Sequence, residues 1–185
     1  MKINLFHFAF ILCFPLSLMA DGGLEFHPSV PSEEGMTAAF VTFKDGTHVV
    51  KYCVPANWDF SGDVFRPKGK MMAEARLQTF PIPAAIAWDK DHQEKVQEWL
   101  LSRYIPKDAT NVTVISDELN ALKICGNDTY SVVISYNLFG AQQQAGIVVV
   151  EREKTRFCFL IESMKSDFKN LFSTFRGSLF SVDGI

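Results

Sequence analysis

Residues 146–163 read "GIVVVEREKTRFCFLIES". Two strand-like runs, 146–153 and 155–163, meet at Glu153-Lys154, a pair suited to a turn. Side chains alternate along a strand, so Phe157, Phe159 and Ile161 face one way and Cys158 and Leu160 the other. Residues 147–150 are likewise apolar on both faces. A strand that is apolar on both sides needs cover on both sides. The segment therefore predicts an α+β fold, an antiparallel sheet covered on both faces.

Cover for one face follows directly. "DFKNLFSTFRGSLF" (167–180) sets Phe168, Leu171, Phe172, Phe175 and Leu179 at helical spacing, one broad apolar face. Ser166 is positioned to cap this helix. Gly177 inside it costs about 1 kcal/mol relative to alanine, so the last turn is expected to fray. Cover for the other face falls to the helix "DHQEKVQEWLLSRY" (91–104) or to the aromatic segment 56–70. Asp91 and Glu94 make a capping-box-like pair for that helix. Val96, Trp99, Leu100 and Arg103 share one of its faces, and Pro106 follows its end.

The remaining elements read as strands and connections. Strands are expected at 111–116, 119–125 and 129–139, with a turn at Gly126-Asn127-Asp128 and a polar connection at "AQQQAG" (141–146). A strand at 71–80 closes at Pro81 and Pro83. The segment 56–70, with Gly62, Pro67 and Gly69, reads as a loop. Upstream, 37–43 and 47–54 flank Lys44-Asp45-Gly46, a hairpin signal, and Pro55 ends the second strand.

The first residues belong to targeting. Met1-Lys2 gives a positive start, and Leu5 to Leu18 is an apolar run too short to span a bilayer as a helix. Ala20 is a small residue at a plausible cleavage point. Residues 1–20 therefore read as a signal peptide, 21–35 as a flexible leader and 36–185 as one domain. Cys13 follows Phe10-Ile11-Leu12, which argues against lipidation. The implied location is extracytoplasmic, periplasmic or secreted, with no integral membrane segment after cleavage.

Charge and cysteines set further bounds. The chain of 185 residues has 18 Lys and Arg against 21 Asp and Glu. Without Lys2 the 17 basic residues against 21 acidic give a net charge of −4, which points to neither nucleic acid nor an anionic surface. Cys53, Cys125 and Cys158 remain after cleavage, all within apolar strand-like runs. They read as buried inert thiols, with one disulfide or a reactive thiol as alternatives.

Sites of chemistry are sparse. There is no H-E-x-x-H, C-x-x-C, Walker loop, dinucleotide fingerprint or G-x-S-x-G elbow. His92-Gln93-Glu94 shares three letters with the zinc deaminases but lacks the P-C-x-x-C partner. His92 shares a helix face with Val96 and Trp99 and reads as a packed or rim histidine. No catalytic residue, cofactor or metal is nominated. Asn111-Val112-Thr113 and Asn127-Asp128-Thr129 are glycan acceptor patterns with meaning only in a eukaryotic secretory pathway. Candidate partner-binding residues are Trp58, Phe60, Phe65 and Arg66 in the 56–70 segment, together with Trp88, because exposed aromatics with arginine anchor interfaces. The competing reading folds Trp58 and Phe65 down over the sheet.

The order of elements, the passage Val54-Pro55-Ala56-Asn57-Trp58 and the closing "FKNLFSTFRGSLFS" (168–181) together resemble the PsbP-like superfamily. That superfamily includes the extrinsic photosystem II protein, the Ran-binding factor of nuclear import and exported bacterial proteins of unknown role. The resemblance spans roughly 37–181. It implies an α/β/α sandwich and an accessory or binding role instead of catalysis. The leading expectation is an exported non-catalytic domain that binds a protein partner or stabilises an assembly. The alternative is a helix-grip carrier, holding a small apolar ligand between sheet and C-terminal helix.

Overall fold

The computed structural model describes residues 27–29, 40–45 and 48–185. The signal peptide, most of the leader, residues 36–39 and Gly46-Thr47 lie outside the described residues. Three residues of the expected leader are strand, β1 (His27–Ser29). It pairs with β2 (Phe40–Asp45), which pairs with β3 (His48–Cys53) in a three-stranded sheet. Asp45 faces His48 in the ladder, so it belongs to the strand and not to a turn position.

A seven-stranded antiparallel sheet forms the centre, in the order β4-β5-β6-β10-β9-β8-β7. Its strands are β4 (Trp58–Ser61), β5 (Val64–Pro67), β6 (Glu74–Pro81), β7 (Thr110–Leu119), β8 (Thr129–Leu138), β9 (Ala141–Arg152) and β10 (Thr155–Met164). Two helices sandwich it: α1 (Lys90–Tyr104) and α2 (Lys165–Ser178), the latter followed by a 3₁₀ turn (Leu179–Ser181).

The alternation in 146–163 orders this sandwich. In the β9–β10 register Phe157 faces Val150 and Phe159 faces Val148, while Cys158 faces Val149 and Leu160 faces Ile147. Phe157, Phe159, Ile161, Val148 and Val150 pack with Phe168, Phe172 and Phe175 of α2. Cys158, Leu160, Ile147 and Val149 pack with Val96 and Leu100 of α1. The β2–β3 hairpin adds Val41, Val50 and Tyr52 to the α2 side. Gly146 sets how closely α2 approaches, since a Cβ there would lie 2.6 Å from Cε2 of Phe172.

Several local expectations need correction. The 56–70 segment is not a loop but the hairpin β4–β5, turned at Gly62 with φ 61°. Its strands are only four residues long, too short for a clear alternation signal. The 141–146 connection is the first half of β9, because Phe139 (φ 50°) and Gly140 (φ 80°) form a two-residue turn immediately after β8. The expected strands 111–116 and 119–125 reduce to one, β7, with two register irregularities. The chain beyond it loops through Asn120 (φ 57°) and Cys125 (φ 49°). Asn120 Oδ1 accepts the Thr129 N–H and the Thr129 hydroxyl donates to the Leu122 carbonyl, which fixes that loop. Leu122 and Ile124 are buried all the same, against the α2 side.

Helix ends differ too. Asp89, whose backbone is extended, caps α1 by accepting the His92 N–H at 2.8 Å. Asp91 is already in the first turn and pairs with Lys95. At α2 the strand β10 runs directly into the helix, so Ser166 is helical and Met164 stands at the cap position without a side-chain bond. The end of α2 is tied down. Ser178 Oγ bonds the Tyr52 hydroxyl at 2.7 Å, and Ser181 Oγ accepts the Cys53 N–H at 2.9 Å.

Candidate functional site

The five sequence-nominated residues do not share an exposed surface. Trp58 is buried and stacks on Phe175, with centroids 6.2 Å apart and planes 8° apart. Phe65 is buried edge-on to Tyr52 at 5.4 Å. Phe60 is half-buried against the same core. Arg66 points outward from β5 and binds Glu74, whose other oxygen is held by Arg76. Trp88 lies on the α1 side, 4.9 Å from the His92 ring and 5.4 Å from the Tyr130 ring. Burial of Trp58 and Phe65 follows from strand alternation, which turns both toward α2 while Asp59 and Arg66 face out.

The charged groups Glu151, His92 and Arg156 on the α1 side are committed to structure. The buried Glu151 carboxylate takes His92 Nε2 at 2.9 Å on one oxygen and the Arg156 guanidinium at 2.6 Å on the other. Arg156 also lies 4.6 Å from the Trp99 ring centre. This triad fastens α1 and its approach to the sheet. Glu94, the other acid of the His92-Gln93-Glu94 pattern, makes only a surface pair with Lys90. Among the described residues no three His, Cys, Asp or Glu side chains converge in a metal-binding arrangement.

The three thiols are free. Cys158 is fully buried, and burial pushes its pKa up to about 12. Burial also raises that of the half-buried Cys53. Both shifts disfavour the nucleophilic thiolate. Cys125 departs from the sequence reading: it is exposed, in the loop after β7, with its Sγ 3.1 Å from the Val182 carbonyl.

Glu162 is a half-buried carboxylate opposite Glu74 in the β6–β10 ladder. Burial, then the neighbouring Glu74 charge, pushes its carboxyl up to about 7 against the opposing pull of Arg76.

A groove of about 570 Å³ runs along the flank of α2. Its walls are Phe168, Lys169, Phe172, Ser173, Arg176, Gly177 and Phe180 on one side, and Ile115, Ala121, Leu122, Val133 and Gln144 on the other. The sheet extends past α2 here, and β7 is largely exposed along its length. Phe180 is 70% exposed and Ile115 55%, both large apolar side chains at the groove mouth. The two charged lining residues are basic. Arg176 donates to the Ala121 carbonyl at 3.2 Å and lies 5.5 Å from the Phe172 ring centre. Among the described residues neither Lys169 nor Arg176 has a carboxylate partner.

Gly177 is the unusual component. It sits in the last turn of α2, one residue before Ser178, and a Cβ there would meet nothing within 4 Å. Neither packing nor backbone conformation requires glycine at this position. A larger side chain would project into the groove. In the sequence Gly177 signals only fraying, and Phe180 lies outside the apolar face of α2.

No protein-family model and no curated protein matches the chain. Among solved structures, it is similar to the solution structure of cyanobacterial PsbP (CyanoP) from Synechocystis sp. PCC 6803. The identity is 13%, over 85% of this chain and 98% of that one, with a TM-score of 0.56. A crystal structure of PA94, a protein of unknown function from Pseudomonas aeruginosa, is similar at 10% identity over 77% of this chain and 94% of that one, with a TM-score of 0.48. The fold is PsbP-like, an α/β/α sandwich around an antiparallel sheet.

Proposed function

We propose that this chain is an exported, non-catalytic accessory domain that binds a protein partner through the groove beside α2. Export is supported by Met1-Lys2, the apolar run Leu5 to Leu18 and the small residue Ala20. The observation that carries the binding reading is Gly177, a glycine in the last turn of α2 that packing does not require and that lines the groove without a side chain. Groove volume alone also suits a small ligand. A carrier pocket buries most of its cargo, however, and this groove opens between the exposed Phe180 and Ile115. Behind α2, where a helix-grip cavity belongs, Phe168, Phe172 and Phe175 are buried against the sheet.

The test uses Gly177→Leu. Leucine is the better helix former, by up to about 1 kcal/mol in a helix interior and less in a last turn, so the variant is expected to melt higher than the parent by at most about 2–4 °C. Its side chain occupies the groove. Affinity capture from the native envelope or secretome, with both proteins as bait, is expected to retain a partner on the parent chain and lose it on G177L. A partner held equally by both refutes the groove as the site. Cell fractionation with N-terminal sequencing checks export: a mature N-terminus near Asp21 supports it, and an intact Met1 in the cytosol overturns it.

A further inference from the structure

We infer that the groove takes an extended acidic-apolar peptide segment, with two carboxylates flanking a bulky apolar side chain. This inference rests on the groove being the partner site and specifies its occupant. Lys169 and Arg176 are seven residues apart on α2, the same side of the helix at two turns' distance, a rise of roughly 10 Å. Ser173 lies between them, and the apolar surface of Phe172, Leu122 and Val133 lies beneath. The charged lining is therefore a pair of cations astride an apolar trough. Neither cation is neutralised by a carboxylate among the described residues, in a chain whose net charge is −3.

The spacing selects the class of ligand. A fatty acid brings one carboxylate to a groove whose two basic side chains start two helical turns apart, so it leaves one of them unpaired when its tail fills the trough. An extended chain advances about 3.3 Å per residue and returns to the same face every second residue, so acids four positions apart share one face and reach both long basic side chains, with the apolar residue midway between them pointing into the trough. The open mouth suits a segment that enters and leaves along the surface.

The experiment is selection of a displayed library of short random peptides on the immobilised chain, run in parallel on G177L and on Lys169→Glu/Arg176→Glu. The expected result is enrichment, on the parent only, of peptides with two Asp or Glu four positions apart around a central Leu, Ile, Phe or Trp. Synthesised winners should bind at least about tenfold more weakly to the charge-reversed variant, as expected for loss of charge-assisted pairs. Exchange of their acids for lysine should restore binding to that variant. Peptides lacking acids, bound equally by the charge-reversed protein but lost on G177L, would overturn this inference and leave the groove reading standing. Peptides bound equally by G177L would overturn both, as would no enrichment at all. Dodecanoate is the control ligand: its binding to the parent and not to G177L, with no peptide enriched, would replace the peptide with an acyl chain. A dimer seen by sedimentation and abolished in G177L would replace it with a second copy.

Discussion

Replacement of Glu162 by glutamine should make the protein more stable at pH 8 and leave it unchanged at pH 4. Glu162 faces Glu74 across the β6–β10 ladder, and both oxygens of Glu74 are engaged by Arg66 and Arg76. Burial and the Glu74 charge raise the Glu162 carboxyl from 4.5 to about 7. A carboxyl whose pKa is higher in the folded state than in the unfolded one binds its proton more tightly when folded. Its contribution to stability is complete below pH 4.5, declines as pH rises and is gone above pH 7. At about 1.4 kcal/mol per pH unit, the rise corresponds to ~3 kcal/mol. Glutamine reproduces the protonated acid at every pH. Other carboxylates contribute slopes of the opposite sign, but parent and variant share them, so the difference between the two isolates Glu162. Urea unfolding followed by tryptophan fluorescence, from pH 4 to pH 8, should give matched stabilities at the acid end and a gap opening through the interval 4.5–7. A gap that does not change with pH, or a variant that is weaker at pH 8, would refute the assignment of that burden to Glu162.

Other perturbations test separate parts of the structure. Gly146→Ala drives a methyl into Phe172 at 2.6 Å, so overpacking should destabilise the fold by about 1–3 kcal/mol in chemical denaturation; an unchanged midpoint would mean α2 is free to move off the sheet. Glu151→Ala leaves Arg156 and His92 without their shared carboxylate and should cost about 3–5 kcal/mol, measured the same way; a loss below about 1 kcal/mol would show the triad to be solvated. Iodoacetamide on the native protein should label the exposed Cys125 first and Cys158 only on unfolding, read by peptide mass spectrometry; rapid native labelling of Cys158 would contradict its burial.

How far the sequence reveals this fold depends on the length of each signal. Residues 147–150 and 157–161 are each apolar on both faces, and only a doubly covered sheet satisfies that, so the layers and the partition of Phe157 from Cys158 are readable in advance. The α2 face is equally plain, with Phe168, Phe172, Phe175 and Leu179 buried as their spacing requires. Strands β4 and β5 are four residues each and carry turn residues at their ends, so alternation has no room to register. The break after Leu119 was hidden because Leu122 and Ile124 have strand-like spacing and are buried, while the left-handed Asn120 and Cys125 take them out of the ladder. The caps failed for a simpler reason. Asp89 and Asp91 are both competent, and only the backbone conformation reached by the approach from Trp88 selects the first.

The groove was less legible because it joins α2 to strands far away in the chain, yet one of its walls is written in a single turn pattern. Lys169, Ser173, Arg176 and Phe180 repeat the spacing of Phe168, Phe172, Phe175 and Leu179 one residue later, a rotation of about 100° around the helix. The first set locks α2 to the sheet and the second lines the flank beside it. A flank that met only water would be free to optimise helix propensity, filling its positions with alanine, glutamate or lysine. Here it holds an exposed phenylalanine and a glycine with empty space around its Cβ position. Gly146 and Gly177 thus differ in kind although both border the same helix. The first is demanded by the rings of Phe168 and Phe172 pressing on β9, so its replacement strains the core. The second has no neighbour that demands it, so its replacement should strengthen the isolated domain. Stability measurements on Gly177→Leu and Gly146→Ala should therefore move in opposite directions. If Gly177→Leu weakens the fold instead, that glycine has a structural purpose inside the chain, and the argument for an occupant of the groove loses its support.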